Sequence, residues 1–506
     1  MLSAAENVEI PLRLVRAEPG VLSVLSMERT PMNRALPLFL ASFLVLAACQ
    51  AAASPSASPS ESAGVPSGSE VPASEVPASQ TPGARTTDPA ELILHGGQLI
   101  TMDPEQPEAE ALAIGGDRIL AIGTDAEIHD LAGPDTTLVD LEGRTVLPGF
   151  IDSHSHRFGD WEAAGYGSPE EALHAGLEQG WTTISEHFAS AERLQQMVEM
   201  DGDGRLPLDI NAYLPLNWQD QRFGDWYLAY RPGQQLSPHV RVAGVKVFVD
   251  SGDPGEKALT EPYANRADYR GRAFFSQDEL SALVAEAHRA GFQVSAHTGG
   301  DAAHDLILNA YEQALDGDDN SASRHRIEHV MVLRDDQLER MRRLGIVASI
   351  QLSWFNSDWA AEFEEGLGPD RLAWVGRWRD LVDAGVLTIG STDTPWGIGT
   401  VGPAMLAVSQ AVTRIGEGGS APPDWMLDQR LDVRDALELI TIDAAFGSFE
   451  EEHKGSLTAG KLADLVILSE NPLTVAPEAL EGIEVLMTIV GGRSAYCAPQ
   501  MAEACP

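Results

Sequence analysis

Cysteine and lysine are the scarce residues of this 506-residue chain. Cysteine occurs three times, at Cys49, Cys497 and Cys505. The last two have no metal-ligand spacing with one another, which excludes a cysteine-built active site at that end. Outside the cytoplasm they could close a small disulfide loop; two free tail thiols are the alternative. Lysine occurs four times, at Lys246, Lys257, Lys454 and Lys461, among 34 basic residues. Arginine is thus the default cation here, and each lysine is an uncommon choice. Positive charge is also short overall, 34 basic against 76 acidic residues, for a net −42. Only five basic and seven acidic residues precede Asp88, so the excess lies in the remainder. Such a surface repels phosphate backbones and excludes nucleic acid as a partner. Solubility or a salty habitat accounts for it without requiring a cationic substrate.

Long apolar runs are missing too. The fourteen residues Ala35 to Ala48 are too few to span a bilayer comfortably. They follow Arg29 and Arg34 and end in Leu46-Ala-Ala-Cys49, which resembles the lipobox of bacterial lipoprotein signal peptides. That resemblance implies a lipidated Cys49 as the mature N-terminus; because a signal rarely begins so far upstream, the residues before Met27 or Met32 read as an over-extended start. The membrane is then met only through this lipid anchor. From Gln50 to about Pro89 the chain is Ala, Ser, Pro and Glu, a composition that buries no core and predicts a disordered tether.

What remains is rich in short apolar segments, in a chain that is 43% hydrophobic. Residues 90–145 show alternating segments divided by turn signals, such as Leu92-Ile-Leu-His-Gly-Gly and Ile119-Leu-Ala-Ile-Gly. Similar pieces return over 451–496, and 497–506 is a tail. Between them, strands alternate with helical stretches such as Gln277–Ala290 and Asp335–Leu344. Eight strands are predicted: Val146–His154, Thr182–His187, Asp209–Leu214, Gly244–Asp250, Gln293–His297, Arg326–Val330, Val347–Leu352 and Leu387–Thr392. The expected fold class is α/β: a (β/α)8 barrel over 146–450, with a small β-sandwich built from both ends of the folded region.

In such a barrel, chemistry gathers at the C-terminal ends of the strands. Histidines spaced i, i+2 on a strand face the same way, so His154 and His156 form a pair suited to a divalent transition metal. Lys246 follows in the fourth strand, His297 ends the fifth, His329 ends the sixth, and Asp393 follows the eighth. A single strand-end histidine is usually structural; an ordered series of such residues argues for a site. Lys246 sits in Val245-Lys-Val-Phe-Val249, a strand that otherwise excludes charge. Burial lowers a lysine pKa, and a neutral amine reacts with carbon dioxide to give a carbamate able to bridge metals. Alternatively Lys246 pairs with a neighbour such as Asp250, or snorkels.

These residues lie in longer matching text: Val146-Leu-Pro-Gly-Phe-Ile-Asp-Ser-His-Ser-His156, Val245-Lys-Val-Phe248, Glu261-Pro-Tyr263, and Ala296-His-Thr-Gly-Gly-Asp-Ala-Ala303. Arg326-Ile-Glu-His329, Gly390-Ser-Thr-Asp-Thr-Pro395, Ile440-Thr-Ile-Asp-Ala-Ala445 and Gly455-Ser-Leu-Thr-Ala-Gly-Lys-Leu-Ala-Asp-Leu-Val466 continue it. The chain resembles the amidohydrolase superfamily, and within it the YtcJ-like amidohydrolase 3 group, from about Glu91 to Tyr496. The resemblance implies a hydrolase of non-peptide C–N bonds in a small-molecule substrate. It implies one metal on His154, His156 and Asp393, a second on His297 and His329, and a carbamylated Lys246 between them. Zinc is the expected metal, with one or two ions bound, and iron or manganese as alternatives. Metal-activated hydroxide would attack an acyl carbon, with Asp393 as general base and then general acid.

The chain departs from that group in one large respect. Only Arg157 to Gly180 separates the first metal motif from the second strand, where members usually carry a long segment that helps cover the site. The pocket is therefore expected to be more open or differently lidded. At the second strand, Ser185-Glu-His187 is a smaller departure, and Glu186 and His187 are expected to support or pack beside the metal rather than bind it. Asp301, Gln351, Trp354 and Trp396 are candidate substrate contacts, the tryptophans as walls of an apolar pocket. Two other functions compete: a lactone or ester hydrolase or deaminase on the same site, and a surface-tethered binding lipoprotein whose metal site does not turn over.

Overall fold

The computed structural model describes residues 89–506 except 254, 400 and 401. The signal-like run, Cys49 and the tether through Asp88 lie outside the described residues. Eight parallel strands follow one another in chain order: β1 (Phe150–Ser155), β2 (Trp181–Glu186), β3 (Asp209–Pro215), β4 (Val240–Phe248), β5 (Gln293–His297), β6 (Arg326–Glu328), β7 (Val347–Gln351) and β8 (Thr388–Ser391). Each pairs in parallel with the next. The first and last edges meet just beyond their strands. Asp393 N–H donates to His154 O at 2.8 Å, and His156 N–H donates to Thr394 O at 2.8 Å. Three of the four residues that close the circle, His154, His156 and Asp393, are thus also predicted ligand positions.

The helices between strands bury one apolar stripe each. In α1 (Gln277–Arg289), Leu280, Val284 and Ala287 recur at helical spacing and are buried, while Ser276 caps the N-terminus in a capping box with Glu279. Burying the Leu and Val side chains contributes about 1.5–3 kcal/mol each. The stripe packs into one core with Val245 and Val247 of β4 and Val294 of β5.

Two further sheets stand beside the barrel. One joins Ala90–His95, Ala111–Gly115, Arg118–Gly123 and Ala132–Asp140. The other draws on both ends of the folded region, placing Thr145–Pro148 against Leu465–Leu468, which in turn pairs with Val485–Val490. Leu92 and Leu112 of the first sheet share a core with Val146, Leu465 and Met487 of the second. The tail is fastened back by a disulfide between Cys497 and Cys505, with a Cα–Cα distance of 6.1 Å.

Several strand limits differ from the sequence pattern. The predicted first strand, Val146–His154, is two: Thr145–Pro148 belongs to the second sheet, and β1 starts at Phe150. They part at Gly149, where a Cβ would come within 2.3 Å of Thr182 Oγ1. One apolar run therefore serves two cores. β4 starts at Val240 rather than Gly244, because Arg241, which breaks the apolar pattern, bonds Asn211 of β3. β6 ends at Glu328, since His329 and Val330 take positive φ values of 72° and 46°. No helix among the described residues is long and apolar enough to cross a membrane.

Candidate active site

The C-terminal ends of β1, β4, β5, β6 and β8 bring His154, His156, Lys246, His297, His329 and Asp393 into one buried group. Asp393 Oδ1 lies 3.4 Å from His154 Nε2 and 3.4 Å from His156 Nε2. These three donors sit within 4.8 Å of one another. The His329 ring is 4.9 Å from that of His154 and 4.4 Å from that of His297. Lys246 Nζ is 3.4 Å from His154 Nε2. Two of the group, His329 and Asp393, have left-handed backbones, with φ of 72° and 60°. Such conformations cost about 1–3 kcal/mol each and persist where the surroundings over-determine them.

Burial sets the charge states. It lowers His154, His297 and His329 well below the ordinary histidine range, and His156 to about 3. All four are neutral bases, the form that binds a metal. Burial also lowers Lys246 to about 8. Among the described residues no carboxylate pairs with Lys246, and the alternative partner Asp250 is taken by the N–H groups of Ala258, Gly299 and Gly300. Burial raises Asp393 well above the carboxylate range.

The donor set fits a divalent cation. His156 Nδ1, His297 Nε2 and Asp393 Oδ1 are buried without a hydrogen-bond partner, a costly arrangement for polar atoms unless something binds them. Imidazoles with a carboxylate are the ligands that zinc and similar metals take.

Glu328 organises this group, a role the sequence reading assigned to no residue. Its Oε2 lies 2.7 Å from His154 Nδ1. Its other contacts come from Ser295 Oγ at 2.7 Å and from Arg326 Nε at 2.5 Å. Burial alone would raise the Glu328 carboxyl, but Arg326 and His154 outweigh it and hold it well below the usual range. The period of two in Arg326-Ile-Glu328 was the available signal, since it places both charges on one face of β6.

At β2, His187 stacks between the rings of His154 at 3.9 Å and Tyr213 at 4.2 Å, and its Nδ1 meets Ser185 O at 2.9 Å. Glu186 Oε2 accepts from the N–H groups of Phe158 and Gly159, while Oε1 is 3.9 Å from His156 Nδ1. Burial raises the Glu186 carboxyl to about 8.

The four candidate substrate contacts fall differently. The Asp301 carboxylate is occupied: it accepts from Thr260 N–H at 3.0 Å and Arg334 Nη1 at 2.8 Å, so the structure does not bring it into the site. Gln351 spends its amide on His329 Nδ1 at 2.8 Å and on Ser391 Oγ at 3.1 Å. Trp354 is buried, stacked on His329 at 5.1 Å and on Trp359 at 4.8 Å. Trp396 alone is exposed, tied by Nε1 to Asp160 Oδ2 at 3.2 Å. A cavity of about 340 Å³ lies at the opposite end of the barrel, near the starts of β3 and β4. Its lining charges pair internally, as in Lys454 Nζ to Asp209 Oδ2 at 2.6 Å.

The sequence profile of the amidohydrolase family matches residues 162–496. The chain belongs to the amidohydrolase family. Within the matched range this amidohydrolase carries Lys246, His297, His329 and Asp393; His154 and His156 lie just before it. It is 26% identical to the protein LONG AFTER FAR-RED 3 of Arabidopsis thaliana, over 80% of this chain and 92% of that one. It is 24% identical to the N-substituted formamide deformylase of Arthrobacter pascens, over 81% and 99%. A metal-dependent hydrolase of Pyrococcus horikoshii shares the fold, with a TM-score of 0.64 at 23% identity over 76% and 99% of the two chains. The amidohydrolase is thus an enzyme acting on carbon–nitrogen bonds, and its His and Asp cluster suits a divalent metal.

Proposed function

We propose that this amidohydrolase cleaves non-peptide C–N bonds of the amide, formamide or carbamate kind in a small-molecule substrate, with zinc as its metal. The observation that carries this is the meeting of His154 Nε2, His156 Nε2 and Asp393 Oδ1, with Asp393 Oδ1 buried and unpartnered. The resemblance to the N-substituted formamide deformylase supports the choice of bond.

His154, His156 and Asp393 would hold one ion, and His297, His329 and a carbamylated Lys246 would hold a second. Bound there, a divalent cation supplies Lewis acidity toward a carbonyl oxygen and acidifies water. Asp393 would accept a proton at the carboxylate oxygen not holding the ion and return it to the leaving nitrogen, as general base and then general acid. Glu328 fixes the His154 ring through Nδ1, and Gln351 does the same for His329, so that the Nε2 atoms keep one orientation. Trp354 covers one face of His329 and excludes water from it.

The enzyme works outside the cytoplasm, anchored by lipid at Cys49. The Cys497–Cys505 disulfide and the lipobox-like ending at Cys49 support this placement. Labelled fatty acid should enter the wild type and not Cys49→Ser; equal labelling would remove the anchor.

Elemental mass spectrometry on purified protein, with Lys246→Ala alongside, tests the centre. About two metals falling to one or none is the expected result. Metal-free, well-folded wild type would overturn the mechanism. Paired amide and ester analogues of one acyl group then test the bond, and faster ester cleavage would reassign the substrate class.

A further inference from the structure

Phe248, the last residue of β4, stands between the buried centre and the surface. Lys246 Nζ lies 4.9 Å from the centroid of its ring, and the His297 ring lies 5.6 Å away. The same ring meets Trp218 edge to face at 5.0 Å and Phe188 at 6.2 Å. Phe188 in turn meets Trp218 at 5.9 Å and Phe223 at 6.0 Å, again near perpendicular. Four rings, from the end of β2, the end of β4 and the hairpin after β3, therefore run outward from the centre as one cluster. Exposure rises along it, from 9% at Phe248 through half-buried Phe188 and Phe223 to 50% at Trp218.

A tryptophan left half in water contributes little burial, yet the backbone beside it is tightly held. The fully buried Asn217 donates from Nδ2 to Phe248 O at 3.0 Å and accepts Phe248 N–H at Oδ1 at 2.9 Å. This two-way amide pairing fastens the Asn217–Arg222 hairpin to the end of β4, so the exposed indole keeps its place on Phe248. The Arg193 guanidinium lies 5.5 Å from the Phe188 centroid and is already paired with Asp160. Perpendicular rings 5–6 Å apart offer both faces and edges, which a further flat ring can match beyond its buried area.

We infer that Phe188, Trp218, Phe223 and Phe248 form an aromatic subsite that binds an aryl group of the substrate next to the bond being cleaved. This rests on the metal-dependent C–N hydrolase proposed above and names its substrate class. The subsite lies on the β2–β4 side of the barrel, apart from Trp354 and Trp396.

Zinc-loaded enzyme titrated with acetohydroxamate, 3-phenylpropionohydroxamate and 3-cyclohexylpropionohydroxamate in a calorimeter tests it, because all three share one chelating end. In the wild type the phenyl compound should bind about tenfold tighter than acetohydroxamate, and tighter than the cyclohexyl one. In Trp218→Ala, and in the milder Phe188→Leu, both ratios should fall toward one. Ratios that ignore both substitutions, or a wild type that gains nothing from phenyl while binding acetohydroxamate, would overturn the subsite. A cyclohexyl compound binding as well as the phenyl one would overturn the aryl assignment. Failure of acetohydroxamate itself to bind would instead strike the metal centre, and the subsite with it.

Discussion

Glu328 Oε2 lies 2.7 Å from His154 Nδ1, and the same carboxylate is gripped by Arg326, so a buried ion pair orients the imidazole proposed to hold a metal. In Glu328→Gln the amide keeps the shape but loses the charge. Metal affinity should fall about 10–100-fold, the usual cost of losing such a partner behind a ligand histidine. The Arg326 guanidinium would then be buried without its countercharge, at a cost of about 3–5 kcal/mol. Elemental analysis during dialysis, with denaturant unfolding of the same protein, measures both. Unaltered metal retention would reduce Glu328 to a packing residue.

How far the sequence alone disclosed this centre depends on the kind of interaction. Strand-end histidines and Lys246 were legible because a period of two on an apolar strand fixes which way each side chain points. The eight-strand series was legible for the same reason. Glu328 was missed because its role needs β1 and β6 side by side, 174 residues apart in the chain. Asp301, a candidate substrate contact by its place after a strand end, bonds Arg334, a long-range partner that position in the chain does not disclose. The Gly149 break was invisible because one apolar run serves equally well in two different sheets.

Lys246 gives a pH prediction of definite sign. Burial lowers its pKa to about 8, so at pH 7 about one-tenth of the amine is neutral and at pH 9 about nine-tenths. Only the neutral amine takes up carbon dioxide. At a fixed concentration of dissolved carbon dioxide, carbamate should therefore form on metal-stripped protein faster as pH rises through 8, by up to about tenfold between pH 7 and 9. With 13C-bicarbonate, a carbamate carbon resonance should appear in the wild type and be absent from Lys246→Arg. Its absence from the wild type at pH 9 would leave Lys246 an unmodified amine.

Asp393→Asn separates chemistry from folding. Asparagine tolerates the left-handed φ of 60° at this position, and the barrel-closing bond to His154 O is made by the backbone. Burial already disfavours the Asp393 carboxylate, so the neutral amide should leave the melting temperature at or above that of metal-free wild type. The rate should nevertheless drop by about 10²–10⁴, the contribution expected of a proton-transfer group. A variant that turns over within a factor of ten would show the proton moving elsewhere.

Asp301 should behave as a structural anchor. It joins Thr260 to Arg334, which also binds Asp305 and Asp336. Asp301→Asn weakens the buried end of that network and should cost about 1–3 kcal/mol of stability, with KM unmoved. A changed KM at unchanged stability would return Asp301 to the substrate.

Trp354 tests whether an aromatic wall and a ligand support are one side chain. It is only 5% exposed, with ring stacks on both His329 and Trp359. A residue that chiefly walls a substrate pocket would raise KM on truncation and leave metal content alone. One that holds His329 would lose metal, because the imidazole keeps Gln351 on Nδ1 but no ring on its face. The stacking predicts the second outcome. Trp354→Ala should cost about 3–5 kcal/mol through the cavity and release metal more readily. Trp354→Phe should retain metal and show the smaller loss of stability. If Trp354→Ala keeps full metal content while KM rises, the indole belongs to the substrate and the support of His329 falls to Gln351 alone.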